Sequence, residues 1–178
     1  FYRGDYKKDD SYITQEWRDR IGAKSYAGGD LKGITQKLPY LKDLGVNALY
    51  LTPVFKANSN HKYNTTDYRT VDPQFGSNAD LVELVARAHD MGMRVMLDIV
   101  FNHCDASHPF FQDVLKYGKQ SRYYSYFIID GDKPDLQSGN YARFADCKYM
   151  PKWNTNDAEA RQYLIQIGTE YLRVYNVD

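Results

Sequence analysis

Hydrophobic positions along the chain alternate between two patterns. Ile34, Leu38, Leu41 and Leu44 share one face at helical spacing, behind Asp30 as a candidate N-cap. Pro39 is expected to kink or restart this helix, and Gly45 to follow its end. Residues 46–51 then run almost unbroken apolar, as a buried strand would, until Thr52-Pro53. The order repeats. Ser77 can cap a second helix with Asp80 three residues on, and Leu81, Leu84, Val85 and Ala88 form its apolar face. Gly92 closes it, and a second apolar run, 95–101, is broken only by Asp98. That run reads as a strand covered on both faces, the habit of parallel sheets. A third helical pattern over 158–175 aligns Tyr163, Ile167, Tyr171 and Val174. Asn176, tolerant of the left-handed conformation, takes the place of glycine, and Val177-Asp178 would open another strand. Repeated helix, turn and buried strand predict a parallel α/β architecture.

The polar exceptions carry the chemistry. Asp98 inside an apolar strand is costly unless it is paired or hydrogen-bonded, and Asn102 and His103 stand where that strand should end. Two readings fit: a core aspartate with an ordinary turn, or a strand delivering polar groups to a site, as strand ends do in barrels of alternating strands and helices. Residues 58–68 are polar and too many for a minimal strand-to-helix turn, which suits either a functional loop or a variable surface one. Residues 104–153 read as an insertion with two short strands, 123–129 and 141–145. It is crowded with aromatic rings, which serve either a wall of a site or a small core of their own. Residues 1–30 read as loop, with a short helix at 14–21.

Composition adds limits. The chain has 178 residues, enough for one domain with a core. Lys and Arg balance Asp and Glu at 23 each, so no net field points to nucleic acid or an anionic membrane. No apolar run approaches the ~20 residues of a membrane helix. Cys104 and Cys147 imply no disulfide framework and read as two free thiols, or else as a single bridge; with His103 and His108 they fit no zinc spacing. The 17 tyrosines stand out, because a flat apolar ring with a polar tip suits sugars as well as packing.

Several stretches together resemble one family. Asp98-Ile99-Val100-Phe101-Asn102-His103 is similar to the first conserved region of the α-amylase family of glycoside hydrolases. Residues 28–34, Gly-Gly-Asp-Leu-Lys-Gly-Ile, resemble the lead into the first helix of its neopullulanase, cyclomaltodextrinase and maltogenic amylase group. Residues 59–68 resemble that group's loop after the second strand, with Asn64 where Asp is usual. Met150-Pro151-Lys152-Trp153-Asn154 resembles its Met-Pro-Lys-Leu-Asn signature, with Trp for Leu.

The resemblance implies an α/β fold: part of a (β/α)₈ barrel, from the second strand to the start of the fourth, with a subdomain inserted after the third. Residues 1–103 would be the N-terminal part of the barrel, 104–153 the insertion, and 154–178 the continuation. It implies substrate-binding roles for His61, Tyr63 and His103. Tyr63 would be the platform under the sugar beside the scissile bond, and His103 would hydrogen-bond that sugar's hydroxymethyl group. Asp98 and Asn102 would support the site, Asp98 by positioning an arginine on the next strand. No catalytic carboxylate is expected in the chain; the nucleophile, the acid/base and a third carboxylate would follow Asp178. A structural Ca²⁺ would sit at Asp5, Asp9, Gly28 and Asp30, although Arg3 and Lys8 stand where neutral oxygen donors are usual. The implied activity of the whole protein is retaining hydrolysis of α-1,4 bonds in maltooligosaccharides, cyclodextrins or pullulan, with this piece inactive alone. The alternative is a non-catalytic carbohydrate-binding protein on a degenerate barrel. The implied partner is an α-glucan, with no nucleic acid or membrane, a homodimer in the full-length protein and a cytoplasmic location.

Overall fold

The computed structural model describes Ile13, Gly22 and residues 25–178. The predicted helix at 14–21, and Asp5 and Asp9, lie outside the described residues. Helix α1, Leu31–Asp43, is capped by Asp30, whose Oδ1 accepts from the Gly33 N–H at 2.7 Å. Pro39 lies inside α1, which runs on through it as one helix instead of restarting. Gly45, at φ 89°, follows the helix end as expected. Strand β1, Ala48–Leu51, follows.

Of the stretch read as a polar loop, residues 58–64 are a loop as expected, and residues 65–68 belong to a strand of a hairpin. Strand β2, Phe55–Ala57, pairs antiparallel with β3, Thr65–Val71, and residues 58–64 form the connection. Helix α2, Asn78–Asp90, begins with the reciprocal Ser77–Asp80 capping box. Strand β4 spans Arg94–Leu97, shorter than the expected 95–101, and pairs parallel with β1 in register Ala48–Arg94 to Leu51–Leu97. Val95 is buried, but Met96 is 43 % and Tyr50 62 % exposed, so the expectation of cover on both faces fails. The two described parallel strands bury Leu49 and Val95 on one face and expose Tyr50 and Met96 on the other.

Residues 104–153 also depart from expectation. They hold helix α3, Pro109–Tyr117, and two short 3₁₀ turns, but no regular strand. Single bridges, Phe127 with Trp153, Ile129 with Tyr141 and Arg143 with Pro151, stand where the two strands were expected. Phe111, Tyr126, Phe127, Tyr141 and Trp153 are buried in the same cluster as Leu81, Val85 and Val95, so the stretch shares the molecule's core. Helix α4, Ala158–Glu170, continues into a π turn, Tyr171–Tyr175, and Asn176 takes the left-handed conformation at φ 56°. Asp178 then lies beside β4, its N–H donating to the Val95 carbonyl at 2.9 Å. Both cysteines are free.

Candidate functional site

The site forms just past the C-terminal ends of β1 and β4. The Asp98 N–H donates to the Leu51 carbonyl at 2.9 Å, which continues the parallel ladder by one residue and fixes where the Asp98 carboxylate sits. The Tyr63 hydroxyl donates to Asp98 Oδ2 at 2.7 Å. This bond to a carboxylate raises the Tyr63 hydroxyl pKa, and Tyr50 is displaced the same way by the same carboxylate. Tyr63 is held at its tip while its ring stays 37 % exposed.

Its backbone is held from below by His103. That imidazole is buried, and burial lowers its pKa. Its Nδ1 faces the Asn102 Nδ2 amide at 3.0 Å and its Nε2 the Tyr63 carbonyl at 3.0 Å. An amide donor on one side and a carbonyl on the other select the neutral tautomer with its proton on Nε2. Both ring nitrogens thus have partners within the protein. Phe144, itself 49 % exposed, stacks on the imidazole at 4.7 Å between centroids.

His61 stands beside Tyr63, with ring centroids 5.9 Å apart. Its Nδ1 accepts from the Tyr63 N–H at 3.1 Å, so a neutral ring carries its proton on Nε2. Partial burial and the adjacent Lys62 cation lower its pKa and favour that neutral form. His61 lines a hollow of about 720 Å³ together with Tyr26, Asn58, Asn64, Asp105 and Tyr149. Two tyrosines around amides and a carboxylate give it mixed, sugar-compatible walls. Asp105 within it is buried and accepts from Asn64 Nδ2 at 2.5 Å, Ser107 Oγ at 2.7 Å and the Ser107 N–H at 2.8 Å.

The residues expected to act together are therefore adjacent. Tyr63, Asp98, Asn102 and His103 form one chain of hydrogen bonds, and His61 joins it through the Tyr63 N–H. The link from His103 runs to a backbone carbonyl, and Asp98 is met by a tyrosine hydroxyl. The hollow of about 720 Å³ includes His61 but neither Tyr63 nor His103. Phe144, Tyr50 and Asp105 were not singled out as site residues by sequence; only Phe144 carried a signal, as one of the insertion's crowded rings.

Of the expected calcium ligands, Gly28 and Asp30 are described, and Asp30 already holds the Gly33 N–H. No cluster of three or more His, Cys, Asp or Glu suited to a metal occurs among the described residues.

Two parallel strands fed by helices, with polar and aromatic groups gathered past their C-terminal ends, define the class: barrel enzymes with the site at that face. The chain belongs to the α-amylase family: the description "Alpha amylase, catalytic domain" matches residues 1–173. It is 43 % identical over 180 residues to a cyclomaltodextrinase of Thermoanaerobacter pseudethanolicus, covering 100 % of this chain and 31 % of that protein. It is 48 % identical over 157 residues to an intracellular maltogenic amylase of Bacillus subtilis, covering 88 % of this chain and 26 % of that one. Among solved structures it is similar to the cyclic α-maltosyl-(1→6)-maltose hydrolase of Arthrobacter globiformis, with TM-score 0.88, 33 % identity, and 96 % and 38 % of the two chains covered. These neighbours are (β/α)₈ barrel enzymes, and the fold here is a piece of that barrel. The chain spans between about a quarter and a third of the length of the curated relatives it matches.

Proposed function

We propose that the whole protein is a retaining α-glucan hydrolase acting on α-1,4 bonds, and that this chain supplies the substrate-binding side of its cleft. The observation that carries the reading is Tyr63, a half-open ring held by Asp98 at its hydroxyl and by His103 at its carbonyl. A ring fixed at both ends offers a sugar a flat face with little further ordering to do. His61 adds an Nε2 donor beside it, and Phe144 a second open ring. His103 works in this reading first by setting the platform; a hydrogen bond from it to a hydroxymethyl group would have to displace the Tyr63 carbonyl.

The chemistry belongs to a pair of carboxyl groups ~5–5.5 Å apart, one attacking the anomeric carbon and the other protonating the leaving oxygen and then activating water. In this reading both come from sequence beyond residue 178. Calcium enters as a structural ion only, at Asp5, Asp9, Gly28 and Asp30, and the cations Arg3 and Lys8 oppose it. A melting temperature unchanged by EDTA would remove it from the proposal. The homodimer and the cytoplasmic location are parts of the same reading; no described helix is long and apolar enough to cross a membrane.

The test is hydrolysis of β-cyclodextrin, maltotriose and pullulan by the full-length protein, comparing Tyr63→Ala with the unaltered protein. Turnover that falls at least tenfold in kcat/KM supports the proposal. Binding of these sugars without any turnover would favour the degenerate-barrel alternative.

A further inference from the structure

Lys62 is the least expected side chain near the site. It is 2 % exposed, among the most buried large side chains described, and its backbone is left-handed at φ 64°. A buried ammonium persists only where it is paired and hydrogen-bonded, and a non-glycine residue in that conformation must be held there by its surroundings. Both conditions are met by one anchor. Nζ lies 2.8 Å from Asp72 Oδ2, donates to Gln74 Oε1 at 2.6 Å and reaches the Ala57 carbonyl at 3.3 Å. Three acceptors answer the three ammonium protons.

The anchor is itself rigidly placed. Asp72 Oδ2 also accepts from the Ala57 N–H at 3.2 Å and Oδ1 from the Gln74 N–H at 3.0 Å. The Asp72 N–H donates to the Val54 carbonyl, the Phe75 N–H to the Asp72 carbonyl, and the Leu31 N–H to the Phe75 carbonyl. The ammonium thus ties the 58–64 connection to β2, to the turn before α2 and to the first turn of α1. On either side of Lys62 in sequence stand His61 and Tyr63. Lys62 is buried, while both of these neighbours are exposed.

We propose that Lys62 is a positioning residue for sugar binding: its buried ion pair with Asp72 locks the 58–64 connection so that the Tyr63 ring and the His61 Nε2 donor stand ready for an α-glucan. The inference rests on the α-glucan reading above, and its test separates the two. In the full-length protein, Lys62→Met and the double variant Lys62→Met/Asp72→Asn are compared with the parent. The double variant removes the unpaired charge, so its melting temperature recovers much of what Lys62→Met loses. Displacing positioning groups by about 1 Å costs on the order of 100-fold, so kcat/KM on maltotriose stays down by tens of fold even in the double variant. Amide exchange rises over residues 58–64 in both variants, while β3 and α2 in the double variant exchange as in the parent.

If kcat/KM and the exchange of 58–64 return to parental values with the melting temperature, Lys62 is merely structural and the proposal fails. If the parent itself hydrolyses no α-glucan, the α-glucan reading fails. Exchange at 58–64 and the affinity for β-cyclodextrin then decide the Lys62 inference: loosening with weakened binding supports it, and unchanged exchange or binding overturns it.

Discussion

At the scale of single residues, the Tyr63 hydroxyl and the Tyr63 ring do different work, and substitution separates them. Tyr63→Phe removes a bond to a carboxylate but keeps the ring, while Tyr63→Ala removes both. A hydrogen bond to a charged group contributes about 1.5–3 kcal/mol when shielded; this one is exposed, so we expect less than 1 kcal/mol in denaturant unfolding. Affinity for β-cyclodextrin, read by calorimetry, should fall only a few-fold in Tyr63→Phe and at least tenfold in Tyr63→Ala. Equal losses would mean that the hydroxyl, not the ring, meets the ligand. His108 carries a second prediction. It is buried among Tyr68, Phe110, Trp153 and Tyr163, and burial lowers its pKa from 6.5 to about 4. Between those values the unfolded chain binds a proton that the folded one refuses, so stability is full above pH 6.5 and falls as the pH drops towards 4. The loss is about 3 kcal/mol at most, and His103, shifted the same way, adds to it with the same sign. Urea unfolding of His108→Asn between pH 7 and 4 should show a shallower loss than the parent, since Asn can still accept from the Phe110 N–H as the α3 cap.

At the scale of elements, what could be read from the sequence was what local chemistry alone decides. Asp30, Ser77 with Asp80, Gly45 and Asn176 mark helix ends by their own side chains or their own φ, and each does so in the structure. Strands depend on partners far along the chain: the two parallel core strands showed themselves as apolar runs, but the hairpin and the pairing within the insertion did not. In β3, Thr65–Val71, the buried positions are Thr65, Tyr68 and Val71, a spacing broken by the irregular register with β2, so no two-residue alternation was visible. The bridges of the insertion join residues such as Phe127 and Trp153, pairs that no local pattern specifies. The site followed the same rule. Tyr63, Asp98 and His103 were legible through motif resemblance, but not the Tyr63 carbonyl as the partner of His103, nor the buried Lys62–Asp72 pair, which joins residues ten apart across a hairpin. Gly118 gives this scale its prediction. It sits at φ 56° where an added Cβ would come 2.6 Å from the Asp132 carbonyl oxygen. Gly118→Ala should therefore cost more than the ~1 kcal/mol of an unfavourable φ alone, read as a fall in melting temperature, with the loss centred on α3 and the 118–132 stretch in amide exchange.

At the scale of the whole molecule, the parallel strands expose one face among the described residues. Tyr50 and Met96 point from β1 and β4 into no described layer, and Leu51, Val54 and Phe75 line an apolar hollow of about 440 Å³ nearby. A fold that leaves strand faces bare has given up part of the burial that stabilises such sheets, at about 25 cal/mol per Å² of apolar surface. The same incompleteness bears on chemistry. A retaining mechanism needs one carboxyl whose pKa is pushed up so that it can give a proton. Among the described residues, the carboxyls whose titration is displaced, Asp135, Asp157 and Asp178, are all moved down, chiefly by backbone N–H donors. Asp98 is bonded to Tyr63 and Asp105 is enclosed by Asn64 and Ser107, so neither stands free beside an open ring. The 178-residue chain alone should therefore release no reducing sugar from β-cyclodextrin, maltotriose or pullulan, and should bind the dye ANS through its bare sheet face. Turnover by the chain alone would place a working carboxyl pair within these residues and overturn the division of labour proposed for the cleft. A chain that leaves ANS dark would mean that the open face is covered in solution.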